Sequence, residues 1–124
     1  MKRLSITLSL LLLASATLVH AQRSTERYIP LGQSPGLSGK STLMGLIAAV
    51  DSADRSLAVQ TAAGPQRFKV TDKTRLWLDH SAAKQATQIA TLADLRPGRR
   101  VEVKFEDGSS SGTAEWIKID AATP

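Results

Sequence analysis

The fold class is decided by the stretch PGRRVEVKFE at positions 97–106. Its Pro-Gly pair forces the chain to reverse direction. After the reversal, the apolar residues Val101, Val103 and Phe105 alternate with charged residues, and this period of two is typical of a strand with one buried and one wet face. The stretch therefore predicts a strand over Arg99–Glu106 that begins at a tight turn.

The same pattern continues outward from this strand. Short apolar runs are separated by turn residues, such as DSADR at 51–55, Gly64-Pro65 and Asp72-Lys73. A Gly- and Ser-rich hairpin loop at 107–112 precedes the last run. The predicted strands are Thr42–Val50, Ser56–Ala62, Gln66–Val70, Thr74–Leu78, Arg99–Glu106 and Thr113–Asp120.

Six short strands in about 80 residues, joined mostly by hairpins, predict an all-β domain. The expected architecture is a small six-stranded antiparallel barrel of OB- or SH3-like size, or a strongly rolled sheet. We prefer the barrel, because closing a sheet removes the exposed edge strands that promote aggregation. A helical turn is predicted at Leu92–Leu95, whereas the Ala- and Gln-rich segment 79–91 fits either a short helix or a long loop.

The first 21 residues have the features of a cleaved signal peptide. Lys2 and Arg3 precede the apolar stretch Ile6–Leu13, and Val19-His20-Ala21 fits the small-x-small rule for cleavage. The apolar stretch is shorter than the about 20 residues that cross a bilayer, and the chain has no cysteine to carry a lipid anchor. We therefore expect export to the periplasm or the extracellular medium, with a mature chain that starts at Gln22.

Composition divides the rest of the chain into three parts. After the signal peptide at 1–21, residues 22–41 are polar and rich in Gly and Pro, which predicts an irregular N-terminal segment. Its apolar residues, among them Tyr28 and Leu31, are able to lie against the domain. Residues 42–120 form the predicted barrel domain, and residues 121–124 are predicted to be a disordered tail.

Charge and residue usage exclude several classes of function. The formal charge of +5 includes Lys2 and Arg3, so the mature chain has about +3, a mild preference for anionic surfaces. The absence of cysteine excludes thiol catalysis, disulfide exchange and Cys-based zinc sites. The mature chain has a single histidine, His80, whereas typical zinc or copper sites use three or four N or S ligands. No metal and no cofactor are therefore predicted.

Four stretches of the domain match one known pattern: GLI at 45–47 leading to Val50-Asp51, VTDKTRL at 70–76, DLRPGRRVEV at 94–103, and Ala114 with Ile117. Over 42–120 they resemble a family of exported bacterial small-barrel domains, the domain-of-unknown-function 5666 type. The resemblance implies a small barrel and export. Because these motifs are structural, the resemblance implies no activity and no catalytic residue.

Two motifs contain the residue types of catalytic or nucleotide sites. Asp79-His80-Ser81 holds the three residue types of a hydrolytic triad, but neighbours in sequence seldom converge as a triad requires. A polar turn is the preferred interpretation, and a hydrolase is a remote alternative. The stretch SPGLSGKS at 34–41 resembles a phosphate-binding loop, yet Ser34 stands where that motif needs Gly, and a predicted strand follows instead of a helix.

Three carboxylates are candidates for acid–base chemistry: Glu102, Glu106 and Glu115. Glu102 and Glu106 alternate with basic residues on the predicted wet face of their strand. Cross-strand ion pairs on an exposed sheet, each contributing at most about 1 kcal/mol, explain them without a catalytic role.

The most informative candidate site combines aromatic and basic residues. Arg75 and Trp77 share one face of the fourth predicted strand, and Trp116 and Lys118 share one face of the last. Both tryptophans are out of phase with the aliphatic residues. An exposed Trp beside Arg or Lys suits stacking on sugars or bases. Three interpretations stay open: structural cover, for example by the N-terminal segment, which is preferred; a dimer interface; and a ligand site.

The predicted function is that of an exported, non-enzymatic binding or scaffolding module with an unknown ligand. The alternative is a glycan- or polyanion-binding module that uses Arg75, Trp77, Trp116 and Lys118 as an exposed sheet face. The expected partner is a cell-envelope protein, a glycan or a polyanion, with a homodimer as the weaker alternative.

Overall fold

The computed structural model of the protein describes residues 25–106 and 112–124. The predicted signal peptide lies outside the described residues, as does most of the predicted loop at 107–112. The described residues form seven strands: β1 (Thr42–Asp51), β2 (Ser56–Thr61), β3 (Gly64–Lys69), β4 (Arg75–Asp79), β5 (Gln88–Ile89), β6 (Arg100–Phe105) and β7 (Ala114–Asp120). They also form three single-turn 3-10 helices, at Glu26–Tyr28, Ser81–Ala83 and Leu92–Asp94.

The seven strands belong to one sheet with the order β3-β2-β1-β6-β7-β4-β5. Neighbouring strands are antiparallel, except β4 and β7, which are parallel. The all-β class is confirmed, but the prediction of a six-stranded antiparallel barrel is wrong. The sheet has a seventh strand, it is mixed, and its order leaves β3 and β5 as edges. A parallel pair needs a long crossover connection, which a reading based on consecutive hairpins does not anticipate.

The sheet curls without closing. An isolated parallel bridge joins Lys69, the last residue of β3, to Thr113 beside β7. The Lys69 N–H also donates to the Gly112 carbonyl at 2.8 Å. Because β2, β1 and β6 separate β3 from β7 in the strand order, this contact requires strong curvature. The curvature agrees with the rolled-sheet alternative.

Strand β1 belongs to two ladders and turns from one to the other near Gly45. Its first half pairs with β6, up to Leu46 opposite Arg100, and its second half pairs with β2, from Leu46 opposite Gln60. A Cβ atom at Gly45 would lie 2.1 Å from the Gln60 carbonyl oxygen. The glycine is therefore required by the close approach of the β2 backbone.

The core lies on one face of the curled sheet. Val101, Val103 and Phe105 of β6 are at most 1% exposed, as their alternation predicts. The rings of Phe68 and Phe105 pack edge to face, with centroids 5.3 Å apart. The buried cluster consists of Ile47, Leu57, Val59, Phe68, Val70, Ala90, Leu95, Val101, Val103, Phe105, Ala114, Ile117 and Ile119.

Most differences from the predicted elements lie in the connections. The reversal between β2 and β3 occurs at 62–63 rather than at Gly64-Pro65, which begins β3. Segment 79–91 contains both a 3-10 turn at Ser81–Ala83 and the short edge strand β5. The helical turn predicted at 92–95 is confirmed, and a capping box between Thr91 and Asp94 stabilises it.

The residues after β7 make hydrogen bonds to the sheet. The Ala121 N–H donates to the Asp79 carbonyl at 3.0 Å, and the Arg100 N–H donates to Thr123 Oγ1 at 3.1 Å. These bonds join the chain after β7 to β4 and β6. Within residues 25–106 and 112–124, no helix is both long and apolar enough to span a bilayer.

Candidate functional site

The face of the sheet opposite the aliphatic cluster is covered by residues 25–41, which we call the strap. This strap face carries Glu102 of β6, Trp116 and Lys118 of β7, and Trp77 of β4, each of which is next to an aliphatic residue that faces the core. The strap consists of turns and the 3-10 helix Glu26–Tyr28. It contacts the strap face mainly through hydrogen bonds to three charged side chains.

Lys118 is the first of these three. It is 1% exposed, and its Nζ donates to Glu26 Oε1 at 2.9 Å, to the Ile29 carbonyl at 2.9 Å and to Ser34 Oγ at 3.0 Å. Ser34 Oγ itself donates to Glu26 Oε1. All three donor protons of the ammonium group therefore have partners, and each partner belongs to the strap.

Glu102 is the second, and the prediction that it faces water is wrong. It is 0% exposed. Its Oε1 accepts from the Gly32 N–H at 2.9 Å, and its Oε2 accepts from Ser38 Oγ at 2.5 Å and from Thr42 Oγ1 at 2.8 Å. Although Glu102 lies opposite Lys118 in the β6–β7 ladder, both side chains are satisfied by the strap and its junction with β1.

The predicted cross-strand ion pairing is found at Glu115 instead. Its Oε2 lies 2.5 Å from Lys104 Nζ, and both side chains are partly exposed. Such a pair contributes little to stability.

Asp79, at the end of β4, is the third charged group that binds the strap. Its Oδ2 accepts from the Leu31 N–H and its Oδ1 from the Ser81 N–H, both at 2.7 Å. Burial alone would raise the pKa of this carboxyl, but the hydrogen bonds from Leu31 and Ser81 and the charge of Lys118 outweigh it. The pKa of Asp79 is therefore below its ordinary value of 3.8.

The prediction of an exposed aromatic and basic face is wrong for three of its four residues. Trp77 is 5% exposed, Trp116 4% and Lys118 1%. The two indole rings pack against each other with centroids 5.5 Å apart, and Lys118 Nζ lies 4.8 Å from the Trp116 ring. The N-terminal segment contributes to this burial at Lys118, whose three hydrogen-bond partners all belong to the strap.

A groove of about 470 Å³ opens where the strap meets the edge formed by β4 and β5. Its apolar wall includes Trp77 and the Ile89 side chain, which is 79% exposed. The groove is lined by Arg27, Thr74, Arg75, Leu76, Trp77, Ile89 and Ala90.

Two guanidinium groups give this groove a positive charge. Arg75 makes no side-chain hydrogen bond or ion pair with any described residue. Within the described ranges, the polar partner of the Arg27 guanidinium is its neighbour Tyr28, through a hydrogen bond and a ring contact at 4.6 Å. No described carboxylate neutralises either group. An exposed guanidinium without a carboxylate partner is available to an anion.

The structure thus separates the four predicted site residues into two pairs. Arg75 and Trp77 line the groove, whereas Trp116 and Lys118 lie beneath the strap. Sequence reasoning missed Arg27, because no local pattern signals that the strap places it beside β4. It also missed Ile89, which lies in a two-residue strand too short to give a period.

The other motifs do not form the sites they resemble. The Asp79 carboxylate binds the backbone of Leu31 and Ser81, and the His80 ring contacts Gln88 Oε1 at 3.1 Å. Strand β1 follows the stretch 34–41 directly, where a phosphate loop would need a helix. Among the described residues, no group of three or more His, Cys, Asp or Glu side chains is arranged to hold a metal ion.

Comparisons with known proteins give one weak structural likeness. No family model and no curated protein matches the chain. A solved structure of a tryptophan-to-alanine variant of CusF from Escherichia coli with Cu(II) has 15% sequence identity and a TM-score of 0.42, and covers 63% of this chain and 88% of its own. A likeness at this level carries no argument about ligand or mechanism.

Proposed function

We propose that the protein is an exported, non-enzymatic binding module that holds an anionic glycan in the groove between the strap and the β4–β5 edge. The observation that carries the proposal is the pair of guanidinium groups, Arg27 and Arg75, that line this groove without a carboxylate partner among the described residues. The resemblance to the domain-of-unknown-function 5666 type is a separate prediction, on which this proposal does not depend.

The chemistry of the groove favours an anion with an attached ring. The planar fork of Arg binds carboxylate and sulfate groups through paired hydrogen bonds. Beside it, the Ile89 side chain, which is 79% exposed, offers an apolar surface against which a sugar ring can pack. The volume of about 470 Å³ lies within the range of ligand sites. Uronic and sulfated sugars combine both features.

Titration with a heparin-derived hexasaccharide tests this proposal. We expect a change in tryptophan fluorescence, because Trp77 lines the groove, and a heat of binding that decreases as salt rises. Arg75→Ala should weaken binding about ten- to hundredfold, since hydrogen bonds to charged groups contribute about 1.5–3 kcal/mol. Polyphosphate and a poly-glutamate peptide are the comparison anions.

Arg96→Ala is the matched control, because Arg96 is exposed on a loop outside the groove and carries the same charge. Equal weakening by both variants would mean that net charge alone attracts the glycan, and would contradict a specific site. Tighter binding of polyphosphate or of the acidic peptide would contradict the glycan assignment and retain the groove as an anion site.

Export and the absence of enzymatic activity are separate parts of the proposal. The N-terminal sequence of the protein recovered outside the cytoplasm should begin at Gln22. A recovered chain that still contains residues 1–21 would contradict cleavage. Any hydrolytic turnover that decreases in His80→Ala would contradict the non-enzymatic assignment.

A further inference from the structure

Among the described residues that line the groove, Arg27 alone comes from the strap. The others belong to β4, to β5 or to positions directly beside these strands. The groove is therefore complete only when the strap lies on the strap face. Whatever fixes the strap there also fixes the position of the Arg27 guanidinium.

The 3-10 helix that carries Arg27 is held at both ends by one side chain. Lys118 Nζ binds Glu26 Oε1 on one side of Arg27 and the Ile29 carbonyl on the other, each at 2.9 Å. The Ile29 N–H closes the turn by donating to the Glu26 carbonyl at 3.1 Å. Lys118 itself is 1% exposed and does not line the groove.

Building on the proposed function, we infer that Lys118 is a positioning residue of the anion site. Through Glu26 and Ile29 it holds Arg27 beside Arg75, so that anion binding and closure of the strap form a single equilibrium. A ligand that contacts both arginines binds the closed form more tightly than the open form, and it must therefore favour closure. A change that loosens the strap lowers the fraction of closed molecules, and the apparent Kd of the ligand rises in inverse proportion to that fraction.

A double-mutant cycle with the heparin-derived hexasaccharide separates positioning from general stability. Couplings between linked sites are typically about 5- to 150-fold, so we expect Lys118→Met to raise Kd about tenfold. In the Arg27→Ala background, the same change should have little further effect, because the residue through which Lys118 acts is gone. Equal weakening in both backgrounds, or no change in Kd, would overturn the inference.

Two further variants control for folding. Val59→Ala, in the core of β2 and away from the strap, should lower the melting temperature and leave Kd unchanged. If Lys118→Met does not fold, Ser34→Ala takes its place in the cycle, since it removes only one of the three partners of the ammonium group. A change in Kd with Val59→Ala as large as that with Lys118→Met would overturn the inference.

Hydrogen exchange in the wild-type protein provides a second readout. The N–H groups of Leu31 and Gly32 donate to Asp79 and Glu102, so they exchange when the strap opens. Saturating hexasaccharide should slow both, and should slow them much less in Arg27→Ala. Unchanged exchange would overturn the coupling, while the effect of Arg75→Ala would still support the anion site. Absence of binding to the wild type would overturn both proposals.

Discussion

Both faces of β6 carry fully buried residues, but the two faces are stabilised in different ways. Val101 and Val103 are both 0% exposed within the aliphatic cluster, and Glu102 between them is 0% exposed beneath the strap. The first face gains free energy from apolar area removed from water, without directional requirements. The second depends on hydrogen bonds whose loss leaves buried groups unpaired. A strand with strict alternation is therefore not always half wet.

The largest effect should come from breaking the apolar face. Phe105→Ala removes a ring that packs against Phe68 at a centroid distance of 5.3 Å. Truncation of a buried Phe costs about 3–5 kcal/mol of unfolding free energy. Urea unfolding followed by circular dichroism and by tryptophan fluorescence should give one coincident transition. A loss below about 1 kcal/mol would mean that the ring is not part of a packed core.

A smaller and more local effect is expected on the strap face. Glu102→Ala leaves the Gly32 N–H and the hydroxyls of Ser38 and Thr42 without an acceptor. We expect a loss of about 2–3 kcal/mol of unfolding free energy, because a loosened strap lets water reach these donors and replace part of the lost hydrogen bonding. Iodide should then quench the tryptophans in native buffer, which it should not do in Phe105→Ala.

Glu115→Ala is the control for this variant, since it removes a carboxylate whose ion pair with Lys104 is partly exposed. We expect it to leave the tryptophans protected. Unquenched emission in Glu102→Ala would contradict the assignment of the strap as the cover of these rings.

The smallest effect concerns Asp79 and depends on pH. Asp79→Asn replaces one carboxylate oxygen by an NH2 group, which cannot accept the hydrogen bond from one of the two N–H donors. The loss should lower the free energy of unfolding by about 1 kcal/mol at pH 7. Because the pKa of Asp79 is lowered in the folded state, its stabilising contribution is present above the unfolded value of about 4 and is lost as pH falls through the folded value.

The difference in stability between wild type and Asp79→Asn should therefore shrink below about pH 4. Urea midpoints at pH 7 and at low pH measure it, with the exposed Asp72→Asn as the control. If the stability difference between wild type and Asp79→Asn does not change with pH, the negative charge of Asp79 is not what strengthens its hydrogen bonds to Leu31 and Ser81.

Local sequence patterns predict a strand well where apolar and polar residues alternate along that strand. The observed β6 and β7 differ from the predicted strands by one residue at each changed end, and the turn at Leu92–Asp94 is where the sequence indicates. The parallel pairing of β4 with β7 was not predictable in this way, because it depends on which distant strands meet. The short strand β5 has no period at all.

The candidate site was predicted only in part, for the same reason. Alternation correctly separates Trp77 and Lys118 from the aliphatic residues of their strands, but it does not say whether water or protein lies on that side. The cover comes from a segment far away in the sequence that has no regular pattern. Arg75 is exposed, as its strand position predicts, and lines the groove, whereas the place of Arg27 in the groove follows only from three-dimensional contact.

The long sequence separation between the strap and Lys118, which binds it, has a consequence for the order of folding. Glu26 and Lys118 are 92 positions apart. In a chain that emerges with its N-terminus first, the strap emerges before all the strands, and β7 is among the last strands to emerge. The surface to which the strap binds is therefore not formed until the sheet is nearly assembled. Docking of the strap should therefore be a late, separate step, visible as a slow kinetic phase in tryptophan burial after the core has formed.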